Sequence, residues 1–394
     1  MHFFIYSSTL LNKLYFLNEI NKKKLYSKNI YFILEINKKK LIITSFSNTV
    51  DYSIHVYTDI YIYVKENTRE KVIIDSKLFT EILSTFTKEI ISIKKDNDTL
   101  NISSLQGSFK IPILRKKLNI IRGNLFCNNN TIFIFSNLLL KILEKIIFSI
   151  GNIKFKTILN GVYFQFSPYE SYFISTNNLV LVKYTVKYIK SSKNIKFIVP
   201  RNSIHILHKI LKYEKNSNNN NNVYIKYNSK ENYVIFLSKN YIFSSKILNI
   251  DNKKNKKQPN YNSIIPKKKF DVLLIINRVL FLNTIKRLLI LSKLFENKKI
   301  EKFIYLQIIN NEFSIFNRKN FSLKIKCKSI YNSLQKIKMG FNCKFLIEIL
   351  SHLDNDFIYF ELYNSNKIGV LKTNFYKNKK EMEFISILIM SIIV

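Results

Sequence analysis

The sequence predicts an α+β fold of three repeated domains, each with two amphipathic helices and antiparallel strands. First, one apolar helical pattern occurs in Val72–Phe86, in Phe197–Leu211 and again in Met339–Leu353. Second, each third of the chain holds another helical pattern nearer its start. Third, alternating runs lie between the helices, such as Gly161–Phe166, which is typical of strands with one buried face.

The repeated helix is recognised by apolar residues at i, i+1, i+4, i+5 and i+8, which mark one face of a helix. The first copy holds all five positions, as Leu78, Phe79, Ile82, Leu83 and Phe86. The last copy also holds all five, as Phe345, Leu346, Ile349, Leu350 and Leu353. The middle copy holds three of them, as Ile204, Leu207 and Leu211. Asp75, Pro200 and Asn342 stand at the three junctions between strand and helix. Asp and Asn are predicted to cap the helix, and Pro suits its start.

The second helical pattern begins at Ser7, at Ser136 and at Ile276. Together, the two patterns divide the chain into predicted domains 1–129, 130–268 and 269–394, each of ordinary domain size.

Low-complexity segments mark predicted connections. Asn216–Asn222 is polar and is predicted to be a hairpin loop, and Asp251–Lys269 is polar and basic and is predicted to be an interdomain linker. The closing run FISILIMSIIV is too short for a membrane span of about 20 residues and favours a buried strand. A membrane-anchoring tail is the alternative for that run.

Charge restricts the partners of this chain. Lys and Arg number 64 against 26 Asp and Glu, a formal net charge of +38, which favours a polyanion such as nucleic acid or an acidic membrane. A second explanation stays open, because abundant Lys, Asn and Ile are also typical of an AT-rich genome. The three cysteines, Cys127, Cys327 and Cys343, form no close pair, which favours a reducing cytoplasm.

No catalytic motif is found. The sequence lacks the glycine-rich phosphate-binding patterns and the nucleophile elbow. His205 and His208 could share a metal on a helix, but no third ligand is nearby, so a solvated helix face is favoured. We therefore predict no catalytic residue, no metal site and no cofactor.

The chain resembles the bacterial replicative sliding clamp, the beta subunit of DNA polymerase III. The motifs that carry the resemblance lie mainly in the middle third, with one in the last third: LLKILEKIIFSI, LNGVYFQF, STNNLVL, FIVPRNSIHILHKIL, FSSKIL, PNYNSIIP and GFNCKFLIEILSHL. The resemblance implies a DNA-clamp fold with the helices inside and the sheets outside. It also implies a cytoplasmic homodimeric ring around double-stranded DNA, which binds the polymerase III catalytic subunit and the clamp loader, with no enzymatic activity and no membrane partner.

Residues that line the hole of such a ring need positive charge against phosphate and need not read bases. The candidates are Lys22, Lys23, Lys24, Lys77, Lys141, Lys145, Lys154, Arg201 and Lys209. Clamps of this family are usually acidic outside, and the net charge of +38 departs from that pattern.

The resemblance also implies a groove for short apolar peptides of the partners. By position, the groove would use Leu159, Thr176, Asn178, Leu179, Val180, Leu181, Pro259, Ile264, Asn342, Ile368, Met390 and Ile393. Where the family commonly has Thr-Asp-Gly-His-Arg-Leu, this chain has TNNLVL at residues 176–181. Where the family often ends near Met-Pro-Met-Arg, Met390 is followed by Ser391, Ile392 and Ile393.

Two other functions remain as alternatives. One is a monomeric basic protein that binds nucleic acid and keeps the clamp fold without closing a ring. The other is an enzyme, which would need a compact site of perturbed titratable groups, and the sparse acids and histidines disfavour it.

Overall fold

The computed structural model describes residues 1–21, 31–48, 52–66, 70–86, 88–115, 131–152, 157–216, 221–228, 232–238, 241–248, 261–266, 269–294, 303–309, 312–316, 322–331, 337–374 and 382–392. Within these ranges the backbone forms two compact units. The first unit comprises Met1–Leu138 and His205–Ile247, and the second comprises Leu139–Ile204 and Leu248–Val394. The predicted division into three domains stays a prediction.

Six helices of the described residues lie where the two repeated patterns predict them, and a short seventh lies outside both patterns. They are α1 (Ser7–Asn21), α2 (Ser76–Ser84), α3 (Ser136–Ile146), α4 (Arg201–Asn216), the short α5 (Tyr261–Ile264), α6 (Arg278–Leu294) and α7 (Cys343–His352). Helix α6 begins two residues later than predicted. Asn277 caps its first turn, since the Asn277 Oδ1 accepts the Leu280 N–H at 3.0 Å.

The predicted caps of the repeated helix are confirmed. Asp75 accepts the backbone N–H groups of Lys77 and Leu78, each at 2.9 Å, and so satisfies two donors of the first turn of α2. Asn342 likewise accepts the N–H groups of Lys344 and Phe345 at the start of α7, at 3.0 and 3.4 Å.

The strands are all paired antiparallel in the described part of the chain. They are β1 (His2–Tyr6), β2 (Tyr31–Asn37), β3 (Lys40–Asn48), β4 (Tyr52–Tyr61), β5 (Tyr63–Glu66), β6 (Lys71–Asp75), β7 (Ile90–Asp96), β8 (Thr99–Ser104), β9 (Gly107–Pro112), β10 (Thr131–Phe135), β11 (Gly161–Phe166), β12 (Ser171–Thr176), β13 (Val180–Val186), β14 (Ile195–Pro200), β15 (Asn222–Asn228), β16 (Tyr233–Leu237), β17 (Tyr241–Lys246), β18 (Val272–Asn277), β19 (Phe303–Ile309), β20 (Glu312–Phe316), β21 (Ser322–Ile325), β22 (Lys328–Tyr331), β23 (Ile337–Asn342), β24 (Phe357–Tyr363), β25 (Ile368–Lys372) and β26 (Glu383–Met390). This mixture of helices and antiparallel sheets confirms the α+β prediction.

The first unit holds two sheets. Sheet 1 has the order β5-β1-β7-β8-β9, and sheet 2 has the order β10-β15-β16-β17-β4-β3-β2-β6. Helices α1 and α2 pack against each other, and the Asn18 amide donates to the Thr80 hydroxyl at 2.8 Å. The apolar positions of the repeat form the core here, because Phe79 and Leu83 are fully buried.

The second unit also holds two sheets. Sheet 3 has the order β14-β11-β12-β13-β26-β25-β24-β18-β22, and sheet 4 has the order β21-β20-β19-β23. Helices α6 and α7 pack together, and the Arg278 guanidinium donates to the Leu350 carbonyl at 3.0 Å. Phe164, Phe166 and Phe197 lie in the core of this unit with no exposed surface.

Sheets 2 and 3 each join strands from two neighbouring thirds of the chain. In sheet 2, β4 pairs with β17, with Val56 opposite Tyr241. In sheet 3, β13 pairs with β26, with Val180 opposite Ile389. The same kind of junction therefore occurs twice. The last strand of a three-stranded meander, β2–β4 or β11–β13, pairs with the last strand of the next third of the chain, β17 or β26.

The structure corrects one predicted connection and places a short helix in the other, whose role as an interdomain linker stays a prediction. Asn216–Asn222 is not a hairpin loop, because α4 continues through Asn216 and β15 begins at Asn222, so the segment connects a helix to a strand. Helix α4 continues past Leu211, where the repeated apolar pattern ends, to Asn216. The linker Asp251–Lys269 contains α5, and its Tyr261 is buried.

The closing run forms β26, which confirms the predicted buried strand, since Ile385, Ile387 and Leu388 are buried. Among the described residues, no helix combines the length and the apolar character that crossing a membrane requires.

Candidate partner groove and nucleic-acid interface

One face of sheet 3 carries a continuous apolar floor. Leu181 lies opposite Leu388 across β13 and β26, and Leu388 lies opposite Val370 across β26 and β25. These three side chains belong to one buried cluster, whose other members are Tyr163, Ile174, Ile198, Tyr261 and Tyr363. The partly buried Ile368 packs against the cluster.

Exposed apolar side chains lie on chain segments that adjoin members of this floor or its cluster: Leu179 just before β13, Met390 at the end of β26, and Ile264 on α5 with Tyr261. Leu179, Ile264 and Met390 have exposed fractions of 49%, 44% and 46%. The Met390 N–H donates to the Leu179 carbonyl at 2.9 Å, and Met390 lies opposite Ile368. We call the floor (Leu181, Val370, Leu388) and the rim (Leu179, Ile264, Met390) the apolar site. Exposed apolar groups beside a buried cluster suit an aliphatic or aromatic anchor of a partner.

The turn between β12 and β13 presents Leu179. The Thr176 hydroxyl donates to the Val180 carbonyl at 2.8 Å, and the Asn177 Oδ1 accepts the N–H groups of Leu179 and Val180 at 3.1 and 2.9 Å. Asn178 has φ of 79°, a left-handed conformation that Asn adopts more readily than most residues. Asn178 therefore occupies, at tolerable cost, the position where the family commonly has Gly.

Backbone hydrogen bonds tie Leu159 to Gly151. The Gly151 N–H donates to the Leu159 carbonyl at 3.0 Å and lies 3.2 Å from the Thr176 carbonyl oxygen. Arg201 contacts the neighbouring backbone, since its guanidinium donates to the Gly151 carbonyl at 3.4 Å and its backbone N–H donates to the Asn160 carbonyl at 2.8 Å. Arg201, predicted to line DNA, therefore also has a structural role near the apolar site.

The last described residues pass over Gly340. The Ile392 N–H donates to the Gly340 carbonyl at 2.9 Å, and a Cβ built on Gly340 would lie 2.6 Å from the Ile392 side chain. Gly at 340 thus allows the segment after Met390 to approach β23 closely. Asn342, two residues further along β23, uses its amide oxygen to cap α7.

Not every predicted groove residue reaches this face. Val180 is buried and, by strand alternation, lies on the opposite face of β13 from Leu181. Pro259 and Ile393 lie outside the described residues. Sequence reasoning missed Val370 and Leu388, although each lies two residues from a predicted member of its own strand, Ile368 or Met390.

Two tyrosines belong to the cluster that contains the floor. The rings of Tyr163 and Tyr261 have centroids 5.2 Å apart. Burial raises the pKa of Tyr163 to about 12, with a smaller contribution from Tyr261, and burial raises the pKa of Tyr261 to about 12. Both phenols are therefore neutral at physiological pH, and the floor carries no charge from them.

The predicted DNA-lining residues differ in their surroundings. Lys77 on α2 is 83% exposed and forms a loose ion pair with Glu81 at an N–O distance of 3.8 Å. Lys145 on α3 is only 11% exposed, lies 2.5 Å from an Asp354 carboxylate oxygen and donates to the His352 carbonyl at 2.6 Å. Lys209 is partly exposed on α4. Lys22, Lys23, Lys24 and Lys154 lie outside the described residues.

Lys141 belongs to a hydrogen-bonded group around Glu383. The Glu383 carboxylate accepts from Lys141 at 2.8 Å and from the hydroxyls of Tyr184 and Tyr188, each at 2.7 Å. Burial opposes the charge of Glu383, but these hydrogen bonds outweigh it, so the pKa of Glu383 is lowered. In the described ranges, no group of three His, Cys, Asp or Glu side chains is arranged to hold a metal ion.

Comparisons with known proteins agree on one family. Residues 134–252 match the family model described as DNA polymerase III beta subunit, central domain. The proteins named beta sliding clamp of Rickettsia felis and Rickettsia bellii are 27% and 26% identical over 254 residues, which are 61% of this chain and 62% of each relative. The sequence match thus spans less than two thirds of those relatives.

Solved structures resemble the whole chain. The DNA polymerase sliding clamp of Bacillus subtilis has a TM-score of 0.79 at 18% identity, covering 100% of this chain and 99% of that one. The sliding clamp of Pseudomonas aeruginosa bound to griselimycin has a TM-score of 0.78 at 17% identity, covering 100% of both chains. At such identity the likeness establishes the fold, including the thirds that the family model does not match.

Proposed function

We propose that this chain is a member of the DNA polymerase III beta subunit family and acts as a non-catalytic sliding clamp. Two copies close head to tail around duplex DNA, and the ring tethers the DNA polymerase. A ring holds DNA by its topology, so it needs no strong contact with the bases and can move along the duplex.

The observation that carries the proposal is the repeated strand junction. The last strand of the first meander, β4, pairs with β17, and the corresponding β13 pairs with β26. The next meander ends at β21, an edge strand of sheet 4, and the first third ends its sheet at the edge strand β9. Open strand edges are templates for pairing with another chain.

By the same rule, β21 of one copy would pair with β9 of another. Sheets 4 and 1 have four and five strands, and together they would form a nine-stranded sheet like sheet 3. Phe109 on β9 is 43% exposed and available to such a contact. Because β9 and β21 are different surfaces, the contact is head to tail, and two copies would close the ring through two of them.

The apolar site is the proposed docking place for the polymerase and the clamp loader. Its rim residues offer apolar surface, and its neutral floor suits a short apolar segment. The solved P. aeruginosa clamp is bound to griselimycin, and we propose that griselimycin binds this chain at the apolar site and can serve as its probe.

Positive charge supports the duplex as the partner. The net charge of +38 favours phosphate, and exposed lysines such as Lys77 bind it without reading bases. The same charge supports the second candidate, a monomeric nucleic-acid-binding protein with the clamp fold.

Two measurements test the proposal. Light scattering of DNA-free protein should give the mass of two chains, and the loaded protein should stay on closed circular DNA but leave linear DNA. Phe109→Asp should give the mass of one chain, since a charge on the edge strand opposes pairing. Leu105→Asp, at a fully exposed turn position before β9, is the matched control and should remain a dimer. A wild-type mass of one chain, with equal retention on both DNAs, would favour the monomeric protein.

A further inference from the structure

A buried ion pair lies on the face of sheet 3 that carries the apolar site. The Lys372 ammonium donates to one Glu361 carboxylate oxygen at 2.7 Å, and the two side chains are 6% and 2% exposed. The Tyr363 hydroxyl donates to the other Glu361 oxygen at 2.8 Å. Glu361 thus connects Lys372 to Tyr363, which belongs to the apolar cluster.

Such a pair is a poor source of stability. Removing two charges from water costs free energy on the order of what their attraction returns. Replacing such a pair by well-packed apolar residues often leaves a protein at least as stable. The surrounding cluster is apolar, so this position would accept such residues. The pair is therefore better explained by the geometry that it imposes than by the stability that it adds.

Strand register gives that geometry a direction. Side chains that lie opposite one another on this face form rows across the strands. Lys372 lies opposite Ser386, in the row next to the one that holds the floor residues Val370 and Leu388. Glu361 lies opposite Val370, in the row of the floor itself, and Tyr363 lies opposite Ile368, in the row of the rim residue Met390. The hydrogen bonds from Lys372 and from Tyr363 to Glu361 therefore cross three successive rows, from the interior of the face to the rim.

We propose that Glu361 is a positioning residue of the apolar site. Held by Lys372, its carboxylate fixes the Tyr363 hydroxyl, so that the ring supports Ile368 and the rim in one arrangement before a partner binds. A preformed site loses less conformational entropy on binding and so binds a short apolar segment more tightly. The inference rests on the proposed function, because it assigns partner binding to the apolar site.

The experiment compares the affinity for griselimycin, by calorimetry, with the thermal midpoint of unfolding. Tyr363→Phe removes the hydroxyl and should weaken binding about tenfold. Glu361→Gln keeps the shape of the side chain but removes the negative charge beside Lys372. It should weaken griselimycin binding about tenfold and also lower the thermal midpoint. The double variant Glu361→Leu with Lys372→Met removes both charges and should keep or raise the midpoint, yet still bind about tenfold more weakly.

The matched control is the exposed pair of Lys71 and Glu35, whose N–O distance is 3.0 Å with side chains 39% and 35% exposed. Lys71→Met with Glu35→Leu should leave the affinity unchanged. If the folded double variant at Glu361 and Lys372 binds as the wild type does, the pair only satisfies its own charges, and the proposal is overturned.

A ligand-independent measurement separates this inference from the proposed function. In protein labelled with 3-fluorotyrosine, the ¹⁹F signal assigned through Tyr363→Phe should be one sharp line in the wild type and should shift or broaden in the double variant. An unchanged signal overturns the inference whether or not griselimycin binds. A wild type that does not bind the probe, with the expected signal change, contradicts the assigned partner site and leaves the positioning supported.

Discussion

The Met390 backbone N–H donates to the Leu179 carbonyl at 2.9 Å, which ties the end of β26 to the turn before β13. The two side chains are exposed to almost the same extent, 46% and 49%. Segments more than two hundred residues apart in sequence therefore form one rim. A change in either segment should affect the other through this hydrogen bond.

We expect Met390→Ser to weaken griselimycin binding about tenfold, because losing part of an apolar side chain from the contact costs about 1.4 kcal/mol. Calorimetry provides the measurement. Met382→Ser is the matched control, since Met382 is 55% exposed but precedes β26 and lies outside the apolar site. Equal losses in the two variants would remove Met390 from the site.

We expect Asn178→Ala to lower the free energy of unfolding by about 1 kcal/mol, because alanine is strained at the φ of 79° that Asn178 adopts. Asn178→Gly should be neutral or slightly stabilising. Chemical denaturation followed by circular dichroism measures both. The prediction is wrong if glycine and alanine have the same effect.

Two predicted DNA-lining lysines should separate by their surroundings. Lys77→Met should leave the free energy of unfolding within about 0.5 kcal/mol and lower the salt dependence of DNA binding by about one ion. Lys145→Met should destabilise the protein by about 1 kcal/mol, because it removes the bonds to Asp354 and to the His352 carbonyl. Denaturation and salt titrations of DNA binding provide the two readouts.

Glu214 should make stability depend on pH. Burial raises the pKa of this carboxyl above its usual 4.5, although hydrogen bonds from Asn221 and Ser238 oppose the shift. The folded protein thus favours the protonated form, so the contribution of Glu214 to stability is present below pH 4.5 and declines as the pH rises toward the raised pKa.

Glu214→Gln should therefore unfold at a higher temperature than the wild type at pH 8, and its melting temperature should vary less with pH. Glu81→Gln, at an exposed position of α2, is the control and should follow the wild type. A Glu214→Gln protein that melts with the wild-type pH profile would contradict the prediction.

The helices were predictable because their apolar spacing and their caps are local features. Asp75 and Asn342 cap helices where the repeat predicted it. The apolar site was predictable only in part. Leu181 and Ile368 were named by resemblance, whereas the floor residue Val370 was missed, because nothing local to β25 shows that Leu388 lies opposite it.

The charges of the site were the least predictable. Lys145 and Asp354 are 209 residues apart in sequence and meet only through the fold. Glu361 and Lys372 lie in strand patterns where apolar residues would be expected, so the sequence offers no sign that they pair. The exposure of a lysine depends on such partners, and composition alone cannot separate Lys77 from Lys145.

The unequal edges β9 and β21 have a genetic consequence. Because each proposed junction uses β9 from one copy and β21 from the other, a copy damaged only at β9 still offers an intact β21. Mixed with a copy damaged only at β21, it can form one sound junction but not two. Two alleles that each abolish assembly should therefore restore an open dimer together, yet neither alone nor together should they restore a closed ring.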